Sequence, residues 1–124
     1  MSRPPGAPTC PEQVPKPWGH ETIWARTERY VGKILHVRAG EALSLQFHRV
    51  KEETILVLSG ALEIEVGGAE DERRTVRLGP GEGWHLPPGT RHRFTALADT
   101  EVLEVSTPEL DDVVRLEDRY GRVK

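Results

Sequence analysis

The fold class this sequence predicts is all-β, an antiparallel sandwich or barrel in a single domain, and three observations carry it. Short runs of β-branched or alternating apolar residues recur about every ten residues. Glycine or proline signals separate most of them. No stretch shows the i, i+3, i+4 apolar spacing that a competing helix of ordinary length needs. The chain has 124 residues, enough for one hydrophobic core and not for two, because a domain needs roughly 100 residues to cover its apolar surface.

The runs follow in order. Glu21–Thr27 and Tyr30–Arg38 carry Ile, Trp, Val and Leu on extended-prone segments. Ala42–Arg49 alternates: Ser44, Gln46, His48 and Val50 share one predicted face, and Leu43, Leu45 and Phe47 share the other. Glu53–Leu58 and Ala61–Val66 flank Ser59-Gly60, a hairpin signal. Arg73–Leu78 follows Gly67-Gly68 and the acidic run Glu70, Asp71, Glu72; its arginines are read as solvent-exposed. Gly83–Leu86 lies between Gly79-Pro80-Gly81 and Pro87-Pro88-Gly89, and Arg91–Leu97 and Glu101–Ser106 complete the set. Glycine permits positive φ at such corners and proline removes a ladder donor.

Composition narrows the function. Hydrophobic residues are 36% and charged residues 30% of the chain, a soluble balance. Residues 1–17 are proline-rich and are expected to form a surface arm, leaving 18–124 as the domain. A net charge of -3 argues against nucleic acid and against anionic membrane surfaces, so any anion site must be local. Cys10 is the single cysteine, which excludes an internal disulfide, and the N-terminus lacks the apolar run of a secretory signal. A cytoplasmic setting is expected.

The segment Gly40–Gly60, GEALSLQFHRVKEETILVLSG, and the segment Gly81–His92, GEGWHLPPGTRH, carry the chemistry. Together they resemble the two-part signature of the cupins. His48, Glu53 and Gly60 match the first motif, with Val50 where a second histidine is usual; Gly81, Pro87, Gly89 and His92 match the second without a gap. Within that superfamily the chain resembles mannose-6-phosphate isomerases, notably the C-terminal domain of the bifunctional type II enzymes. Lys16-Pro17-Trp18-Gly19 resembles the family's opening motif, and DDVVRLEDRYGR from Asp111 to Arg122 its C-terminal signature. The likeness spans residues 16–122, and no Gly-rich phosphate loop of a guanylyltransferase domain occurs in the sequence.

The resemblance implies a single jelly-roll barrel, the double-stranded β-helix, around a divalent-metal site. Its ligands would be His48, Glu53 and His92, with Gln46 added because isomerases of another class bind zinc through Gln-x-His. Two imidazoles, a carboxylate and an amide oxygen suit Zn²⁺ best, with Mn²⁺, Fe²⁺ or Co²⁺ as alternatives. The competing interpretation is a hydrogen-bonded polar cluster in a metal-free barrel. Glu104, a carboxylate in an apolar strand, and His85 are the candidates for proton transfer, His85 on the condition that Trp84 and Leu86 face outward. Lys33, Arg115 and Arg122 are the candidates for holding a phosphate. His20 and His36 are read as structural or surface residues.

The activity this implies is interconversion of mannose 6-phosphate and fructose 6-phosphate. A non-catalytic cupin that binds a sugar or nucleotide sugar is the alternative, and a three-histidine oxygenase ranks behind both. A homodimer is expected through Leu43, Leu45 and Phe47.

Overall fold

Two antiparallel sheets packed face to face make up the protein in the computed structural model, which describes residues 5–68 and 72–123. Glu70 and Asp71 of the acidic run, and the first four residues of the arm, lie outside the described residues. All nine expected runs contain a strand, and two further strands flank them. In chain order they are β1 (Glu12–Lys16), β2 (Gly19–Arg26), β3 (Val31–Val37), β4 (Leu45–Phe47), β5 (Glu53–Ser59), β6 (Leu62–Gly67), β7 (Arg74–Leu78), β8 (Gly83–Leu86), β9 (Arg91–Ala96), β10 (Thr100–Ser106) and β11 (Val114–Glu117). One sheet has the order β1-β2-β3-β10-β5-β8 and the other β11-β4-β9-β6-β7. This is the jelly-roll barrel expected. Among the described residues no helix is long and apolar enough to cross a membrane.

Part of the expected arm is therefore strand. β1 tolerates Pro15 because it is the edge of its sheet, pairing with β2 alone, and an edge strand has no use for a donor on its open side. β11 pairs with β4 and is irregular between Arg115 and Glu117.

The core lies between the sheets and explains where the polar pocket must be. Strand side chains alternate, so each strand contributes a stripe of inward residues two positions apart. On β3 that stripe runs Val37, Leu35, Lys33; on β5, Val57, Ile55, Glu53; on β10, Val102 and then Glu104; on β9, Ala96, Phe94, His92. All eleven are buried. Register aligns the stripes: Val102 stands opposite Leu35 and Val57, and Glu104 opposite Lys33 and Ile55. One half of the barrel interior is thus apolar, each large side chain contributing about 1.5–3 kcal/mol by leaving water. The other half is charged.

Residues 42–50 depart from strict alternation because the regular strand begins only at Leu45, with a single bridge between Ala42 and Thr95 upstream. Leu43 consequently packs on the core and Leu45 is buried. Of the three residues expected to form an outer apolar patch for a homodimer, Leu43 turns to the core, Leu45 shares the face of Phe47 but is buried, and the guanidiniums of Arg49 and Arg91 lie over the Phe47 ring. That patch does not exist on this surface.

Gly60 turns the β5–β6 hairpin with φ +88°, and a Cβ there would lie 2.3 Å from the Asp99 carbonyl oxygen. Both the backbone conformation and the close approach require glycine. Gly60→Ala is expected to destabilise the fold by more than about 1 kcal/mol, measured as a lower urea midpoint with an unchanged m-value; a midpoint equal to wild type would contradict the assigned turn.

Candidate metal centre

Three donor groups converge at the polar half of the barrel. His48 follows β4, Glu53 opens β5 and His92 lies on β9, and their ligand atoms all fall within 4.8 Å of one another, every residue being buried. Nε2 of His48 is 3.3 Å and Nε2 of His92 3.1 Å from the same Glu53 oxygen, Oε1. The corner Pro87-Pro88-Gly89 ties the two motifs together, since the Gly89 N–H donates to the His48 carbonyl at 2.7 Å.

The second nitrogen of each ring decides what the first can do. Nδ1 of His48 contacts the Asp112 carbonyl oxygen, and Nδ1 of His92 lies 2.9 Å from the Thr90 carbonyl oxygen. A carbonyl only accepts, so each Nδ1 carries the hydrogen, and in the neutral imidazole each Nε2 presents a lone pair to Glu53. Three acceptors facing one another require a cation, either a proton on a ring or a metal ion. His92 Nε2 is buried and has no hydrogen-bond partner, which fits a ligand position. Carbonyl partners behind both rings are also the arrangement that orients metal-bound histidines. The donor set therefore fits a divalent ion of the Zn²⁺ type. Gln46 lines the same pocket opposite His92, its amide oxygen accepting from Ser44 Oγ at 2.6 Å.

Burial pushes the Glu53 pKa up, but a proton held on the facing rings of His48 and His92 and the Lys51 charge outweigh it and hold the carboxyl well below the usual range. Lys51 was missed by sequence reasoning. Val50, at the usual second-histidine position, is 62% exposed and contributes nothing, whereas the next residue turns inward at 5% exposure. Lys51 Nζ lies 3.4 Å from Glu53 Oε2 and 3.6 Å from Glu104 Oε2. Glu104 is pushed up to about 7, first by burial and then by the facing Glu53 carboxylate, against the opposing charges of Lys51 and Lys33.

Gln46, His48, Lys51, Glu53 and Glu104 line a cavity of about 90 Å³. Its cations are Lys16, Lys33, Lys51, Arg115 and Arg122, its carboxylates Glu21, Glu53 and Glu104, an excess of two positive charges with neutral histidines. Lys33 bonds to both oxygens of Glu21, at 3.3 and 3.5 Å. Arg122 holds Asp118 through Nε and Nη2 at 2.8 and 2.9 Å. Arg115 stands opposite Gln46 with a buried Nε that has no partner. Lys16, the second cation missed, is lowered by burial and by the facing charges of Lys33, Arg115 and Arg122 despite Glu21. Its place in the Lys-Pro-Trp-Gly motif was the available signal.

His85 does not reach the pocket. Leu86 is the β8 residue that faces the core, at 1% exposure, so alternation turns His85 outward, where Nε2 lies 2.6 Å from Glu52 Oε2 at the surface. The condition that Trp84 and Leu86 face outward is not met. His20 and His36 stack on each other 4.1 Å apart, with His36 also 2.9 Å from Glu101, away from the cavity lining. Arg119 bonds to the Gly40 carbonyl and lies outside the lining as well.

Comparison with known proteins places this geometry among relatives. The family model described as Cupin domain matches residues 33–107. Mannose-1-phosphate guanylyltransferase ManC of Salmonella typhimurium is 36% identical over 116 residues, 90% of this chain and 23% of that protein. Xanthan biosynthesis protein XanB of Xanthomonas campestris is 33% identical over 119 residues, 92% of this chain and 24% of the relative. The chain thus spans about a quarter of the length of these curated relatives. Among solved structures, KdgF from Halomonas sp. superposes with TM-score 0.69 at 26% identity, covering 81% of this chain and 90% of that one. CapF of Staphylococcus aureus, TM-score 0.73 at 22% identity over 87% of this chain and 34% of its own, shares the fold.

The loop that carries Lys51 is held by Asp112, whose carboxylate accepts the backbone N–H groups of Arg49, Val50 and Lys51 at 3.0, 2.7 and 2.9 Å. Those three bonds lower the Asp112 pKa from 3.8 to about 2. Asp112→Ala is expected to speed hydrogen exchange of the amides of residues 49–51 at least tenfold. Because the folded pKa is depressed, the carboxylate's contribution is fully present above 3.8 and is lost as pH falls through about 2. Wild-type exchange rates in the variant at neutral pH would show that the loop is held by something else.

Proposed function

We propose that this chain, which belongs to the cupin domain family, is a metal-dependent sugar-phosphate isomerase that interconverts mannose 6-phosphate and fructose 6-phosphate. One observation carries the proposal: a cavity with an excess of positive charge adjoins a three-donor centre that requires a cation. The first attracts an anion, and the second fits a divalent ion. Relatives whose names state mannose-1-phosphate chemistry match nine-tenths of the chain, which supports a phosphorylated hexose as the small-molecule partner. Their guanylyltransferase activity is no part of this proposal.

Aldose–ketose isomerisation moves a proton between C1 and C2 through an enediol, so it needs a base that returns its proton, polarisation of the sugar oxygens and a grip on the phosphate. Glu104, with a pKa of about 7, populates both protonation states at neutral pH and is the proton carrier in this reading. A divalent ion held by His48, Glu53 and His92, with Gln46, would polarise the sugar oxygens as a Lewis acid; zinc is the first choice, before manganese, iron or cobalt. Arg115 and Lys16 take the phosphate: Lys33 and Arg122 already bond to Glu21 and Asp118 and add only their field, whereas Lys16 is held more loosely, 3.9 Å from Glu21. His85 has no part in proton transfer. A cytoplasmic setting suits a phosphorylated substrate and the single free thiol of Cys10.

A second reading is a non-catalytic module that binds a sugar phosphate or nucleotide sugar. The outward Val50 favours it, since it leaves two histidines where three are usual, and the same observation argues against an oxygenase.

A coupled assay on protein of determined metal content separates the two readings. Expected are turnover of mannose 6-phosphate, a loss of at least a hundredfold in His48→Ala, and a roughly tenfold rise in KM with little change in kcat in Arg115→Ala, the loss of one charge-assisted contact. No turnover with Zn²⁺, Mn²⁺, Fe²⁺ or Co²⁺ would hand the site to the binding module.

A further inference from the structure

The two oxygens of Glu53 face different groups. Oε1 faces the imidazoles of His48 and His92, and Oε2 faces Lys51 Nζ at 3.4 Å. The ammonium also approaches Glu104 Oε2 at 3.6 Å, and its side chain is as buried as its partners. With its side chain only 6% exposed it keeps little hydration, so its position is set by the two carboxylates. A buried pair of carboxylates without a nearby cation is costly. Here the chain supplies that cation itself, from the loop that Asp112 pins through three backbone bonds.

We propose that the Lys51 ammonium is the pocket's built-in cation, neutralising Glu53 and Glu104 in the metal-free protein and setting the affinity for a divalent ion by competing with it for the Glu53 carboxylate. Two positive centres on one carboxylate repel, and in a buried site the repulsion is weakly screened. The metal-free barrel is then a stable folded state, and the ion binds against a charge already in place. This rests on the metal-ligand reading of His48, Glu53 and His92 but not on the isomerase activity: absence of turnover leaves it standing.

The test is calorimetric titration of metal-free protein with Zn²⁺ and Mn²⁺, without substrate. Lys51→Met and Lys51→Gln remove the charge at similar length and are expected to bind each ion at least tenfold more tightly than wild type, while Lys51→Arg, which keeps the charge, stays within about threefold. Thermal unfolding provides the second readout: the metal-free Met and Gln variants melt below the metal-free wild type, yet gain more from added ion. If only one of the neutral variants folds, its affinity against wild type and Lys51→Arg decides the matter alone. Neutral variants that bind no more tightly than wild type, an arginine variant that binds as tightly as they do, or no binding by any of the proteins would overturn the proposal.

Discussion

The interaction on which the polar half of this barrel depends is the burial of an ionised Glu53. A carboxylate that is 2% exposed has lost nearly all its water, and the cost of several kcal/mol must be offset by groups within reach. Lys51 and a cation shared with His48 and His92 are those groups, and each creates a further requirement. The rings must be turned so that Nε2 points at the acid, which the Asp112 and Thr90 carbonyls accomplish. Lys51 must be brought inward from a loop, which the Asp112 carboxylate accomplishes. One buried charge thereby organises the turn before β9, the loop between β4 and β5, and a residue from the C-terminal segment.

Asp112 holds more of this together than its half-buried position suggests. Its backbone oxygen orients His48 and its side chain fixes residues 49–51, so a single residue positions both the ligand from one side and the ammonium from the other. The segment that carries it continues into β11, which pairs with β4 and brings Arg115 opposite Gln46. The C-terminal signature and the histidine motif are therefore parts of one construction: the former orients the latter and adds the pocket's uncommitted cation.

How much of this was legible depends on whether a residue obeys strand parity. His92, Glu53 and Glu104 lie on regular strands, inward by alternation, and their place beside core residues could be read from the chain. Lys51 could not, because residues 49–52 are neither strand nor helix and no period says which side chain of a loop turns inward. Leu43 was misplaced for the same reason, since its run becomes regular only at Leu45. For His85 the parity rule was sound, but its sign hung on which neighbour entered the core, and Leu86 did. β1 was hidden by its prolines, which edge strands tolerate, and β11 by charges that also suit a solvated surface.

The division of labour among the cations follows from the same accounting of partners. Lys33 and Arg122 each lie against a carboxylate, and Lys51 lies between two. Their charges shape the field of the cavity, but a ligand that took them over would have to break an existing pair. Arg115 alone among the five is a guanidinium with a buried nitrogen that has no partner, so an anion there gains a charge-assisted bond without such a loss. Lys16, disfavoured in its charged form by burial and by three neighbouring cations and only loosely paired with Glu21 at 3.9 Å, gains as well when a phosphate arrives. The preference for a phosphorylated over a neutral sugar therefore resides at Arg115 and Lys16, where positive charge is least compensated, and not simply wherever a basic residue lines the wall.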